Sequence, residues 1–127
     1  MASGETRWSR IIKSRGCEGC SGGISSGIVA SRDLVFFGDL DGRLWALDVS
    51  TGETRWQHDS WQQYDVVNGD WAQKDDEGRS YAEGGAFDAH GPMLADDLLI
   101  VASGYGNFGQ RGGNALLVFQ IKPDALP

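Results

Sequence analysis

Ser3-Gly4-Glu5-Thr6-Arg7-Trp8 returns almost unchanged as Thr51-Gly52-Glu53-Thr54-Arg55-Trp56, an offset of 51 minus 3, or 48 residues. A fixed period of this size is the mark of a repeat fold, and about 40–50 residues is the length of one four-stranded propeller blade. A weaker third echo follows the second copy. Asp33-Leu34-Val35-Phe36-Phe37-Gly38 is matched by Asp97-Leu98-Leu99-Ile100-Val101-Ala102, and Leu44 to Val49 by Ala115 to Gln120.

Within one period the strands can be read directly. Ile24 to Ala30 reads as a first strand rich in small residues, as the crowded centre of a propeller requires. Leu34 to Gly38 is an apolar second strand, and Asp41-Gly42 is a hairpin turn in which glycine accepts positive φ without steric cost. Leu44 to Asp48 reads as the third strand and Glu53 to His58 as the outer fourth. No segment keeps a helical period. The fold class is therefore all-β, about two four-stranded antiparallel blades of a β-propeller built on a WD-like repeat.

Composition agrees with this reading and narrows the function classes. The 127 residues are 40% hydrophobic and 23% charged, as in ordinary folded domains. Glycine is the outlier at 19 copies against 3 prolines, which suits tight turns between short strands. The formal net charge is −7, and the 11 Lys and Arg are scattered, so a nucleic-acid partner is not expected. No apolar run approaches the ~20 residues of a membrane helix. The start, Met1-Ala2-Ser3-Gly4-Glu5, has neither the basic nor the apolar segment of a secretory signal.

The run from Arg43 to Trp56 has the spacing Ala-x-Asp-x-x-x-Gly-x-x-x-Trp, carried by Ala46, Asp48, Gly52 and Trp56, and Gly4 and Trp8 repeat its second half. Asp48 is placed to accept hydrogen bonds from the turn backbone. Gly52 supplies an unusual backbone angle, and Trp56 lays a large ring between neighbouring blades, where burial contributes roughly 25 cal/mol per Å².

This run resembles the tryptophan-docking motif of the pyrroloquinoline-quinone (PQQ) repeat propellers. That family holds quinoprotein alcohol dehydrogenases and also non-catalytic scaffolds such as the outer-membrane assembly lipoprotein. The motif identifies a fold far better than an activity. A further series resembles the C-terminal part of polyvinyl-alcohol dehydrogenases. It runs from Val67-Asn68-Gly69 through Gly84-Gly85, Gly91-Pro92 and Ser103-Gly104-Tyr105 to Gly113-Asn114-Ala115-Leu116-Leu117. The likeness covers about residues 22 to 121, and Asp70 to Glu83 is longer and more acidic than its pattern.

The resemblance implies a periplasmic enzyme that oxidises secondary hydroxyl groups. PQQ takes the hydride, Ca²⁺ polarises the quinone carbonyl, a carboxylate acts as base, and electrons pass to a cytochrome c. Most of those groups are expected in blades outside this sequence, its partners in the ring. Residues 1–13 read as the outer strand of a preceding blade, 22–58 as one full blade, 59–85 as a long inter-blade loop, and 86–121 as a last blade lacking its outer strand. The chain is thus expected to be a fragment, inactive by itself.

In a four-stranded blade the link from strand two to three shares an end with the link to the next blade. That end carries Lys13 to Gly23, Asp39 to Gly42, Asp59 to Gly85 and Ser103 to Gly113, and long loops on a rigid scaffold are where sites form. Asn68 and Tyr105 are the candidate quinone contacts. The structural alternatives are a turn role for Asn68 and inter-blade packing for Tyr105. Asp88 and His90 are an acid-base pair or a simple loop contact, and Asp75-Asp76-Glu77 reads as a solvated loop. No residue is assigned as the base or as a metal ligand. Asp39-x-Asp41-Gly42 lacks the Glu and flanking helices of a calcium loop and reads as a hairpin.

Cys17-Glu18-Gly19-Cys20 stands apart from these. Ser21 follows where a c-type haem site needs His, and zinc needs two more ligands at a recognised spacing. What is left is a local disulfide, suited to the periplasm, or two free thiols.

Two readings of different class follow from the sequence. One is the C-terminal part of a PQQ-dependent alcohol dehydrogenase; the other is a non-catalytic PQQ-repeat scaffold. Long irregular loops favour the first, since scaffold blades have short regular ones.

Overall fold

A computed structural model describes residues 3–18, 20–69, 72–106 and 109–122. Met1, Ala2, Gly19, Asp70, Trp71, Asn107 and Phe108, which fall within segments discussed above, lie outside the described residues.

The first sheet follows from four apolar or alternating runs in sequence order. β1 (Val29–Ala30), β2 (Leu34–Gly38), β3 (Arg43–Asp48) and β4 (Thr54–Asp59) pair antiparallel as β1-β2-β3-β4, a single four-stranded meander. The pleat sorts its side chains to two faces. Phe36, Leu44 and Ala46 face one way, and Phe37, Trp45 and Leu47 face the other. β1 is shorter than the Ile24 to Ala30 strand that the sequence suggests. Ser25-Ser26-Gly27 spends its polar groups elsewhere: Ser26 Oγ donates to the Gly38 carbonyl at 3.0 Å, and Gly27 N donates to Ala89 at 3.3 Å.

The 59–85 stretch is not one irregular loop. β5 (Gln63–Asp65), β6 (Gln73–Lys74) and β7 (Ser80–Glu83) form a small three-stranded sheet in the order β5-β7-β6. Its strands are short and polar, so their alternation is hidden in the sequence. The turn before β7 is made by Asp75, whose Oδ1 accepts from the N–H groups of Glu77 and Arg79.

β8 (Met93–Ala95), β9 (Leu98–Ser103) and β10 (Ala115–Gln120) form the third sheet, in the order β10-β9-β8. Its register corrects the echo read from the sequence by one residue. Val49 N donates to Asp33 O at 2.9 Å after β3, and Ile121 N donates to Asp97 O at 2.7 Å after β10. Ile121 therefore corresponds to Val49, and Gln120 to Asp48. A one-residue slip exchanges the two faces of a strand, so Leu117 corresponds to Trp45 rather than to Ala46. In an almost wholly apolar strand no alternation marks the phase.

The main core lies between the first and third sheets, where Phe36, Leu44 and Ala46 meet Phe87, Leu99, Val101, Ala115 and Leu117. Trp56 closes its outer side against Phe119, with ring centres 5.2 Å apart at 70°. On the opposite face of the first sheet, Phe37, Trp45 and Leu47 are covered by Trp8 and Ile12. The segment before β1 thus lies against one face of the first sheet, and the third sheet against the other. This is the face-to-face arrangement of consecutive propeller blades.

Candidate functional site

The β2–β3 hairpin, the end of β4, the approach to β8 and the β9–β10 connection gather at one end of the sheets, and two buried aspartates organise them. Asp39 is fully buried. Its carboxylate accepts from the N–H groups of Asp41 and Arg43, from Arg43 Nε at 2.7 Å and from Trp45 Nε1 at 3.0 Å. Asp41, also fully buried, draws in the segment before β1. It accepts from the backbone N–H of Arg15 and Ser21 at 2.9 Å each and of Gly22 at 3.2 Å. Burial pushes its pKa upward, but these N–H donors outweigh burial and hold it below the usual carboxylate value.

Arg15 continues the network with a two-pronged pair to Asp59, at 2.9 and 2.5 Å. That pairing holds the Asp59 pKa low. The Arg15 guanidinium also lies 4.1 Å from the Trp61 ring centre, and that of Arg111 lies 4.9 Å from it. One indole thus receives two cation–π contacts. Nearby, Ser60 and Ser103 form a buried hydroxyl pair at 2.9 Å. Ser60 Oγ accepts from Ser103 and lies within donating distance of Gly42 O and Gly85 O, at 2.7 and 2.9 Å, and Ser103 Oγ accepts from Gly85 N at 2.9 Å. These bonds tie the hairpin, β4 and β9 to one point.

Beside this network opens a cleft of about 560 Å³, lined by Asp88 to His90, Ala102 to Tyr105 and Gly113 to Leu116. Its size is in the range that takes a cofactor-sized ligand. Tyr105 lines it and Asn68 does not, so the two candidate contacts are not brought together there. Asp88 and His90 both line it. Asp88 is bound by the Ala89 N–H at 2.7 Å and by Gln110 Nε2 at 3.2 Å rather than by His90. Asp75 pairs with Arg79 in its own turn. Cys17 and Cys20 are joined by a disulfide with Cα atoms 5.2 Å apart, next to the Ser21 and Gly22 amides that bind Asp41.

A second titratable pair lies on the outer side of the core. His58 Nε2 and the Tyr64 hydroxyl are 2.7 Å apart. Burial lowers the His58 pKa and raises that of Tyr64 to about 12. Near neutral pH the imidazole is uncharged and the phenol keeps its proton.

The docking-motif residues occupy one turn. Asp48 Oδ1 accepts from Ser50 N and Thr51 N, at 2.8 and 3.1 Å, and its Oδ2 pairs with Arg55. Gly52 has φ +77°, and a Cβ there would come within 2.7 Å of the Trp8 ring. Gly4 repeats that backbone angle at φ +79°, and Ala46 is fully buried opposite Trp56. Sequence reasoning missed the aspartate network, the serine pair and Trp61. The one available signal was a pair of acidic residues closing a hairpin between two apolar strands.

These elements define a class: stacked antiparallel blades held by tryptophan docking, the PQQ-repeat type of β-propeller. Residues 1–58 match the family model described as outer membrane protein assembly factor BamB. Over 124 residues the chain is 28% identical to a polyvinylalcohol dehydrogenase of Pseudomonas sp, covering 91% of this chain and 17% of the relative. It is 30% identical to the quinohemoprotein alcohol dehydrogenase ADH-IIG of Pseudomonas putida over 77% of the chain and 11% of that protein. It is 26% identical to the 1-butanol dehydrogenase (cytochrome c) of Thauera butanivorans, over 88% and 14%. By these matches the chain is similar to the PQQ-repeat, alcohol dehydrogenase-like family. It spans only 11–17% of the length of these relatives. No solved structure matches it significantly. Among the described residues no helix is long and apolar enough to cross a membrane.

Proposed function

We propose that the chain forms the C-terminal blades of a periplasmic PQQ-dependent alcohol dehydrogenase that oxidises secondary hydroxyl groups of the polyvinyl-alcohol type and passes electrons to a cytochrome c. The observation that carries the reading is the cleft at Tyr105 and Gly113-Asn114, which lies within the 91% of the chain aligned with a polyvinylalcohol dehydrogenase. The cytochrome acceptor is supported by the relative whose name carries it. A bound quinone would supply a two-electron acceptor for the carbinol hydrogen. The chain's own share is to wall the cofactor. Tyr105 presents a ring to the cleft, Gly104 and Gly113 bring backbone close, and the Ser60–Ser103 pair fixes that wall from behind.

Other residues fit the cofactor site less well. Arg15 and Arg111, the cations suited to a quinone carboxylate, sit on Trp61 and not in the cleft lining. Among the described residues no three His, Cys, Asp or Glu side chains stand together as a metal site. In this reading calcium and the catalytic base come from other blades of the parent protein.

The test is quinone-dependent dye reduction by the parent protein containing this sequence, with PQQ and Ca²⁺ supplied. Turnover of secondary alcohols is expected. Absence of turnover with correctly bound PQQ would leave the scaffold reading, which the match of residues 1–58 to the assembly-factor model favours.

A further inference from the structure

Asp41 is fully buried, and among the described residues every N–H group that reaches its carboxylate comes from one segment. Arg15 N donates to Oδ2 at 2.9 Å, and Ser21 N and Gly22 N donate to Oδ1 at 2.9 and 3.2 Å. The same segment is tied to the β2–β3 hairpin at two further points. Gly23 O accepts from Leu40 N at 3.0 Å, and Lys13 O accepts from Arg43. Cys17 and Cys20 stand between the first of the Asp41 donors and the other two. Their disulfide therefore fastens the two arms of a clasp that is closed around a buried carboxylate.

This crosslink is poorly placed to stabilise the fold at large. The restraint that a disulfide puts on the unfolded chain grows with the loop it closes, and here the cysteines are only three positions apart. Its effect falls on the peptide groups beside it. Cys17 is exposed and Cys20 half-buried, which leaves the bond open to a thiolate from solvent. Exposed disulfides are the ones that exchange readily. The sequence has no third cysteine with which the pair could reshuffle.

We propose that Cys17–Cys20 is a site of reversible thiol–disulfide exchange, and that a dithiol reductant which opens it releases the clasp on Asp41. In the exchange a thiolate of the reductant bonds to the Cys17 sulfur, the Cys17–Cys20 bond breaks, and Cys20 leaves as a thiolate that takes up a proton. The second thiol of the reductant then displaces Cys17, which also takes up a proton, and closes the reductant's own disulfide. Two electrons and two protons pass from the dithiol to the cysteine pair.

Once the arms are unfastened, Arg15 on one side and Ser21 and Gly22 on the other no longer hold each other in place. A buried carboxylate without its donors is unfavourable, so water enters and takes over the bonds to Asp41. Arg15 joins the clasp to its surroundings. Its Nε donates to Asp41 O at 2.8 Å, it pairs with Asp59, and it shares the Trp61 ring with Arg111 of the β9–β10 connection. The exchange site thus lies at the same end of the sheets as the cleft. The inference rests on this network and not on the dehydrogenase reading.

Hydrogen exchange in the parent protein carrying this sequence tests it, with dithiothreitol as the reductant. Alkylation under native conditions should find both Cys17 and Cys20 set free. The Arg15, Ser21 and Gly22 amides should exchange at least about tenfold faster in the reduced protein, while amides within β2 and β3 keep their rates. In a sample left unalkylated, reoxidation should restore the protection. In Cys17→Ser/Cys20→Ser the three amides should exchange fast with or without dithiothreitol. A disulfide that stays closed until the protein unfolds would overturn the proposal. So would a reduced protein whose three amides are as protected as before, because the clasp would then hold without its fastening. A response to dithiothreitol that survives in the double variant would come from cysteines elsewhere in the parent, and it too would defeat the assignment.

Discussion

The indole of Trp8 sits on the backbone of Gly52, with its Nε1 donating to Val49 O at 2.9 Å. A residue from one repeat is thus seated on the turn of the next, 44 residues away (52 minus 8). The seat exists only because position 52 has no Cβ: an added methyl would come within 2.7 Å of the ring, at φ +77°. Gly52→Ala is expected to destabilise the chain by about 2 kcal/mol, from left-handed strain and overpacking together. Trp8→Phe should cost less, since it loses the hydrogen bond and keeps most of the ring. Urea denaturation checks both, and a neutral Gly52→Ala would mean that Trp8 is not docked in solution.

How much of this was legible in the sequence depended on whether a feature repeats. β2 was readable to the residue because Leu34 to Gly38 is a bounded apolar run, and the Trp8 dock because its motif occurs twice. The phase of β10 was not readable, since Ala-Leu-Leu-Val-Phe has apolar residues on both faces and only the Asp33 and Asp97 carbonyl contacts fix it. The small sheet at 63–83 was hidden because its strands are two to four residues long and polar. Asp39 and Asp41 look like ordinary hairpin residues. Their burial is a tertiary fact, created when Arg43, Trp45 and the Arg15–Gly22 segment converge on them. Tyr105 lines the cleft and Asn68 does not, and the residues around neither of them mark that difference in the sequence.

The carboxyl group of Asp39 is fully buried and is satisfied by two backbone N–H groups, Arg43 and Trp45. Removing one partner of such a buried pair costs about 3–5 kcal/mol, because the other is left uncompensated. Asp39→Ala is expected in that range. Asp39→Asn should fall below it, since the amide oxygen still accepts two bonds. The near-ultraviolet signal of Trp45 provides a local readout, and an unchanged signal in Asp39→Ala would show that the indole bond is not maintained.

Stability should fall as pH drops below the ordinary histidine value of 6.5. Burial depresses the folded-state pKa of His58 below its ordinary 6.5. Between the two values the unfolded chain binds more protons, so stability present above 6.5 is lost as pH falls toward the folded value. Asp41 and Asp59 are depressed below 3.8 and act in a separate, more acidic window. Their contributions are present above 3.8 and lost below it, leaving the slope just below pH 6.5 to His58. Thermal melts across that range should flatten in His58→Gln. An equal slope in the variant would assign the effect to another group.

The Ser60–Ser103 pair links the wall of the cleft to the inter-blade core, so its removal should be felt on both sides. Ser103→Ala deprives Gly85 N of its acceptor and Ser60 Oγ of a donor, both in buried positions. Leaving such groups unsatisfied costs about 1–3 kcal/mol each. Ser60→Ala removes the one hydroxyl that Gly42 O and Gly85 O share as a donor, but Gly85 O still has Ser103 Oγ at 3.0 Å. The two substitutions should therefore couple. The double variant is expected to lose about 1 kcal/mol less than the sum of the singles, because each single already breaks the shared bond. Hydrogen exchange at Gly85 separates this from a global effect: Ser103→Ala should speed it more than Ser60→Ala does at matched stability. Equal acceleration in both would mean that the Gly85 amide is held by the fold as a whole and not by the Ser103 hydroxyl.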